Sequence, residues 1–137
     1  MGRVKLDQET WGLSLLMEKI TGAKVKDCFR DEDTVYFVVA PGELGKAIGK
    51  SGVNVHRLQA ELGKRVKVIE FNEIPFLFIK NIIYPLAVEE IIEEGTAFVV
   101  KDRNRMIKSK LIGRESKNLK VLNRAVQRFF SKDVKVG

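Results

Sequence analysis

The sequence predicts an α+β protein made of two successive copies of one small unit, each running helix, strand, strand, helix, helix, strand. Three observations carry this. The order of apolar and turn-forming segments in residues 1–72 recurs in residues 73–137. A glycine-bearing turn between two helical segments, Gly49-Lys50-Ser51-Gly52, returns 64 positions later as Gly113-Arg114-Glu115-Ser116. At the same offset Lys46 matches Lys110, Asn54 matches Asn118, Val55 matches Leu119, Leu58 matches Leu122 and Leu62 matches Val126. A repeat that keeps a turn together with inward-facing positions is a signal at the level of the fold.

In the first unit, Asp7 can cap a helix from about Gln8 to Ile20. Leu13, Leu16, Met17 and Ile20 form its apolar stripe, with Trp11 placed at the stripe's edge as a core residue, and Gly22 stops it. Residues 24–30 and 34–40 read as strands around the polar turn Asp31-Glu32-Asp33. Pro41-Gly42 breaks the second strand, and a short helix from about Glu43 to Ile48 leads into the turn. The helix beyond it runs to about Leu62, with Val55, Leu58 and Leu62 inward, and Gly63 ends it. Val66 to Phe71 is the third strand.

The second unit opens at Pro75, a residue suited to a first helical turn, and its helix runs to about Ile83. Strands are expected at 86–93 and 96–101, a helix at Arg103 to Ile112, a long helix with Leu119, Leu122, Val126 and Phe130 on one face, and a last strand at Lys132 to Val136. The link Asn72-Glu73-Ile74 holds no Gly/Ser tract, so the two units are expected to pack as one rigid block. The helix at 75–83 is apolar nearly all round, the pattern of a helix buried between them.

Composition narrows the function. The chain has 137 residues and a net charge of +7, unevenly spread: residues 1–100 hold 13 Lys/Arg against 15 Asp/Glu, residues 101–137 hold 12 against 3. A second basic run, Lys46 to Lys67, carries six cations against Glu61. Both runs coincide with the two turns and suit a polyanion. One cysteine, Cys28, excludes an internal disulfide and a cysteine-based zinc site; it reads as a buried or half-buried small residue. His56 is the single histidine, placed on a helix surface without a nucleophile around it. No paired-carboxylate, Ser/His/Asp or metal-ligand pattern stands out, and strand alternation splits Glu89, Glu90, Glu93 and Glu94 between two faces. No catalytic residue, metal or cofactor is therefore assigned. No apolar run of membrane length and no signal core appear, which fits a soluble cytoplasmic protein.

The turns themselves carry the chemistry. Glycines let the main chain approach a phosphate closely, and the helix that follows aims its free N–H groups and positive end at it. Ile48-Gly49-Lys50-Ser51-Gly52-Val53-Asn54-Val55 and Leu111-Ile112-Gly113-Arg114-Glu115-Ser116-Lys117-Asn118-Leu119 together resemble a tandem pair of type II KH domains. Over nearly the whole chain the arrangement looks most like the archaeal form of the NusA family of transcription termination/antitermination factors. The resemblance implies two KH domains, residues 1–72 and 73–137, holding extended single-stranded RNA, about four nucleotides per unit. It implies RNA contacts from Lys46, Ile48, Gly49, Lys50, Ser51, Gly52, Asn54 and Arg57, with Lys64 steering phosphates beside them. The second set is Lys110, Ile112, Gly113, Arg114, Ser116, Lys117 and Asn118. The implied partners are single-stranded RNA and, beyond it, RNA polymerase or other transcription factors; a monomer is expected.

The second turn departs from the family pattern. Ser116 replaces the last glycine and Glu115 adds a negative charge, so the first unit is expected to bind more strongly, with Arg114, Lys117 and Lys120 compensating in the second. The alternatives are an RNA-binding protein of ribosome or translation, a protein-interaction module that kept the fold, and, lowest, an enzyme.

Overall fold

A computed structural model describes residues 8–137, which fall into two compact units, 8–72 and 73–137. The cap expected at Asp7 lies outside the described residues. The first unit runs α1 (Gln8–Thr21), β1 (Val25–Arg30), β2 (Thr34–Val39), α2 (Leu44–Ile48), α3 (Val53–Leu62) and β3 (Arg65–Glu70). The second repeats that order as α4 (Pro75–Ile83), β4 (Glu90–Glu94), β5 (Ala97–Lys101), α5 (Arg105–Ile112), α6 (Lys117–Phe130) and β6 (Asp133–Val136).

Each unit has one three-stranded mixed sheet, ordered β1-β2-β3 and β4-β5-β6. The first two strands form an antiparallel hairpin; the third lies parallel to the central strand. Parallel pairing needs a long crossover, and the helix–turn–helix supplies it. Cys28 and Val68 flank Phe37 on the two neighbouring strands. Strand alternation turns Val35, Phe37 and Val39 to the helices, where they close a core with Met17, Ala23, Cys28, Ala47, Leu58 and Val66.

α1 turns the expected stripe to the core: Met17 is fully buried, and Leu13, Leu16 and Ile20 pack against the core partly buried, with the polar Thr10, Ser14 and Thr21 buried beside them. Trp11, expected in the core, is 57% exposed, and Leu15 one turn on is 50% exposed. The physical reason is angular: at about 100° per residue Trp11 lies roughly opposite Leu13 rather than beside it. Similarly, α4 is not enclosed all round. Phe78, Ile79 and Ile82 are buried, with Phe78 edge-on to Phe129 at 5.6 Å, whereas Phe76 and Leu77 stay exposed.

Two boundaries in the second unit also move. β4 starts at Glu90 rather than residue 86, because its partner β5 ends at Lys101 and Asp102 then takes the Glu89 N–H at 3.1 Å. α5 starts at Arg105, not Arg103, because Asn104 is its cap: the Asn104 Oδ1 accepts from the Met106 N–H at 2.8 Å.

In the first hairpin, Tyr36 stacks on Phe29 at 4.9 Å and donates its hydroxyl to Asp31 Oδ2 at 2.9 Å. Burial first, and then the Asp31 carboxylate, push its pKa from 10.0 up to about 12. A raised folded-state pKa means the protonated phenol is favoured in the fold. Its contribution is whole below the unfolded value and is lost as pH climbs through the folded one. Between about pH 10 and 12 the wild type should therefore lose thermal stability more steeply than Tyr36→Phe; parallel melting curves across that interval check it, and equal slopes would refute it.

Candidate nucleic-acid interface

The turn between α2 and α3 is built from three residues with positive φ. Gly49 takes φ 79°, ψ 167°, a region open in practice only to glycine; Ser51 (φ 56°, ψ 26°) and Gly52 (φ 75°, ψ 15°) are left-handed. The Gly49 N–H donates to the Gly45 carbonyl at 2.9 Å and closes α2; the Gly52 N–H donates to the Gly49 carbonyl at 3.1 Å. α3 then starts at Val53, and no side chain caps it. Its leading N–H groups and positive end therefore open at the turn, where Lys50 and Ser51 are exposed.

The second turn has the same backbone without the same residues. Gly113 takes φ 74°, ψ 172°, Glu115 φ 55°, ψ 31° and Ser116 φ 61°, ψ 22°. Thus Ser116 holds the left-handed conformation of Gly52, and Glu115 that of Ser51. Each non-glycine in that region costs about 1–2 kcal/mol, a cost the surrounding fold sustains twice in succession.

What fixes both turns is an amide that sequence reasoning assigned to RNA. Asn54 Nδ2 donates to the Lys46 carbonyl at 2.9 Å, and Asn118 Nδ2 donates to the Lys110 carbonyl at 2.8 Å. Each asparagine reaches back across the turn and ties the second helix to the first. It also explains the first glycine: a Cβ on Gly49 would stand 2.9 Å from the Asn54 amide, and one on Gly113 would stand 2.7 Å from that of Asn118. A Cβ on Gly52 would meet only His56 among the described residues, at 3.7 Å, an ordinary contact. A second amide pair went unnoticed in the sequence although it lies at the repeat offset. Gln59 Oε1 accepts from the Val66 N–H at 3.1 Å and Asn123 Oδ1 from the Val134 N–H at 2.8 Å, each joining the long helix to the last strand.

The cations divide. Lys46 pairs with Glu43 at 3.3 Å, and its stem lies 3.7 Å from where a Gly22 Cβ would be. Glu43 also accepts the Lys24 N–H, which is the main reason its carboxyl is held below the usual range, with Lys46 second. Arg57 pairs with Glu61 at 3.6 Å on the open face of α3. Such exposed pairs are weak, about 0–1 kcal/mol, so either cation can turn to a phosphate. Lys64 is a correction: it lies beyond the far end of α3, about 15 Å of helix from the turn, and its ammonium donates to the Glu32 carbonyl at 3.1 Å. Ile48 and Ile112 are half-buried behind the turns, while Lys110, Arg114 and Lys117 are exposed. His56 is exposed and Cys28 buried, as expected.

The glutamate cluster of the second unit is broken up. Glu89 is held by Arg103, whose Nη2 lies 2.8 Å away, and Glu93 by Lys132. Among the described residues no group of acidic, histidine or cysteine side chains could hold a metal ion, and no helix is long and apolar enough to cross a membrane.

A mixed three-stranded sheet under helices, with a tight glycine turn at the mouth of the helix that leads to the last strand, defines the class: residues 14–85, the first unit and α4, match the KH domain family. The particular family follows from whole-chain similarity. The chain is 38% identical over 120 residues to the probable transcription termination protein NusA of Methanococcus vannielii, covering 85% of this chain and 69% of that protein. It is 32% identical to the protein of the same description from Halococcus morrhuae, with 96% of both chains covered. The crystal structure of APE1850 matches with a TM-score of 0.77 at 26% identity, over 96% of this chain and 99% of that one. The chain belongs to the archaeal NusA family of KH-domain proteins.

Proposed function

We propose that this chain is a non-catalytic, RNA-binding transcription termination factor with two tandem KH domains. Single-stranded RNA crosses both turns, its phosphates meeting the main chain at Gly49-Lys50-Ser51-Gly52 and at Gly113-Arg114-Glu115-Ser116. The observation that carries this is the shared backbone of the two turns, each opening at an uncapped helix start. Lys46, Lys50 and Arg57 serve the first turn; Lys110, Arg114 and Lys117 serve the second. Asn54 and Asn118 act by holding the turn in shape, each through an Nδ2 hydrogen bond to a main-chain carbonyl. The names of the relatives support a role at transcription termination; RNA polymerase is the further partner this reading proposes.

The test is Lys50→Asp with Ser51→Asp, which spares both glycines. The doubly substituted protein should fold like the wild type and lose at least tenfold in affinity for single-stranded RNA, measured by fluorescence anisotropy. Wild-type affinity in the folded variant would remove the first turn as a site. A second reading, protein docking, has one observation in its favour: the exposed pair Trp11 and Leu15 on α1. RNA polymerase binding by a chain that shows no RNA affinity would favour it.

A further inference from the structure

The two long helices that follow the turns differ in a way the repeat makes plain. α6 has 14 residues, of which four are cationic and none acidic. Those four, Lys117, Lys120, Arg124 and Arg128, are spaced three, four and four apart, so they form one stripe down the helix. The stripe lies opposite the buried positions Leu122, Ala125 and Val126. At the repeat offset, α3 and the residue just past it carry Val53, His56, Ala60 and Lys64 instead. The stripe thus belongs to the second unit alone.

Helix stability does not account for it. Lys120 and Arg124, and again Arg124 and Arg128, are like charges one turn apart, a repulsive arrangement. Lys117 and Lys120 sit in the first turn, the end where the helix's own positive pole disfavours cations. Lys117 and Lys120 are exposed, Arg124 and Arg128 half-exposed. The Arg128 guanidinium lies 5.3 Å from the Phe129 ring, and its buried Nε–H has no acceptor among the described residues.

We propose that this stripe is a track for a phosphodiester backbone, carrying a nucleic-acid strand on from the second turn along about 16 Å of α6. The proposal rests on the RNA-binding reading above and extends it beyond the turns. Under it the two units divide the work. The first offers close main-chain contact through Gly52, and the second, with Ser116 in that place, offers long-range charge. The strand on the track is either the same single strand or one strand of a hairpin stem.

The experiment uses the full chain and the variant Lys120→Gln/Arg124→Gln/Arg128→Gln; glutamine is neutral and forms helix well. Affinities across a salt series are read with three RNAs: a tetranucleotide, a longer single strand, and a hairpin. Removing three phosphate contacts should flatten the slope of log affinity against log salt by about 2, at roughly 0.7 per contact for a single strand. That change is expected with the longer strand and not with the tetranucleotide; a larger change with the hairpin assigns the track to a duplex. An unchanged slope in a folded variant overturns the track while leaving the turns intact. Failure of the wild type to bind any of the three overturns both. Polyglutamate competing as well as RNA of equal charge would assign the stripe to an acidic protein segment and also overturn it. Should the triple variant not fold, the converse decides. Val53→Lys/His56→Lys/Ala60→Lys places the stripe on exposed positions of α3 and should steepen the slope; no steepening overturns the proposal.

Discussion

Gly49→Ala should unsettle the first unit far more than Gly52→Ser, although both remove a glycine from the same turn. At Gly49 the added Cβ would lie 2.9 Å from the Asn54 side chain and 3.0 Å from its backbone nitrogen. Backbone cannot yield there without moving the start of α3, and the hydrogen bond from Asn54 Nδ2 to the Lys46 carbonyl goes with it. The conformation alone costs about 1–3 kcal/mol in a residue other than glycine. For a unit this size each kcal/mol lowers the melting temperature by roughly 4–8 °C. Gly52 has room for a Cβ, and Ser116 already occupies the matching left-handed position. Gly52→Ser should therefore cost no more than about 1–2 kcal/mol and show its effect in RNA affinity, where a side chain now stands at the phosphate approach. Paired melting and RNA-binding measurements separate the two; a Gly49→Ala protein that melts with the wild type would refute the latch.

Phe37→Ala should leave the first unit largely unfolded at room temperature. Phe37 is fully buried in the middle of the central strand, with Cys28 on one side and Val68 on the other. Emptying such a position typically costs about 3–5 kcal/mol, and a single small core rarely supplies more than about 3–5 kcal/mol in total. Native-state hydrogen exchange is the appropriate reading. Amides of β1, β2 and β3 should lose protection, and persistence of that protection would show that the unit draws its stability from elsewhere.

Much of this fold was legible because its signals are local. Glycine after a helix, proline at the start of one, and polar residues between apolar runs placed nearly every element, and the offset between Gly49 and Gly113 exposed the repeat. What escaped depends on partners distant in sequence. The start of β4 is set by where β5 ends and by the Asp102 carboxylate that captures the Glu89 N–H, which no apolar pattern at 86–89 records. Trp11 went astray because a side chain's type was weighed above its angle on the helix. Asn54 and Asn118 were singled out for RNA, and their bonds to the Lys46 and Lys110 carbonyls were not legible: an amide facing a turn looks alike whether it serves the ligand or the main chain. The division of cations was hidden too, since Lys64 is near the turn in sequence and a helix length away in space.

The asparagine latch has a consequence for how such turns are recognised. A search written for two glycines three apart passes over Gly113-Arg114-Glu115-Ser116, although its dihedrals match those of its counterpart. The geometry is conditioned by a first glycine and an amide five residues downstream, Gly49 with Asn54 and Gly113 with Asn118. A signature of that form would recover degenerate copies that the familiar motif discards.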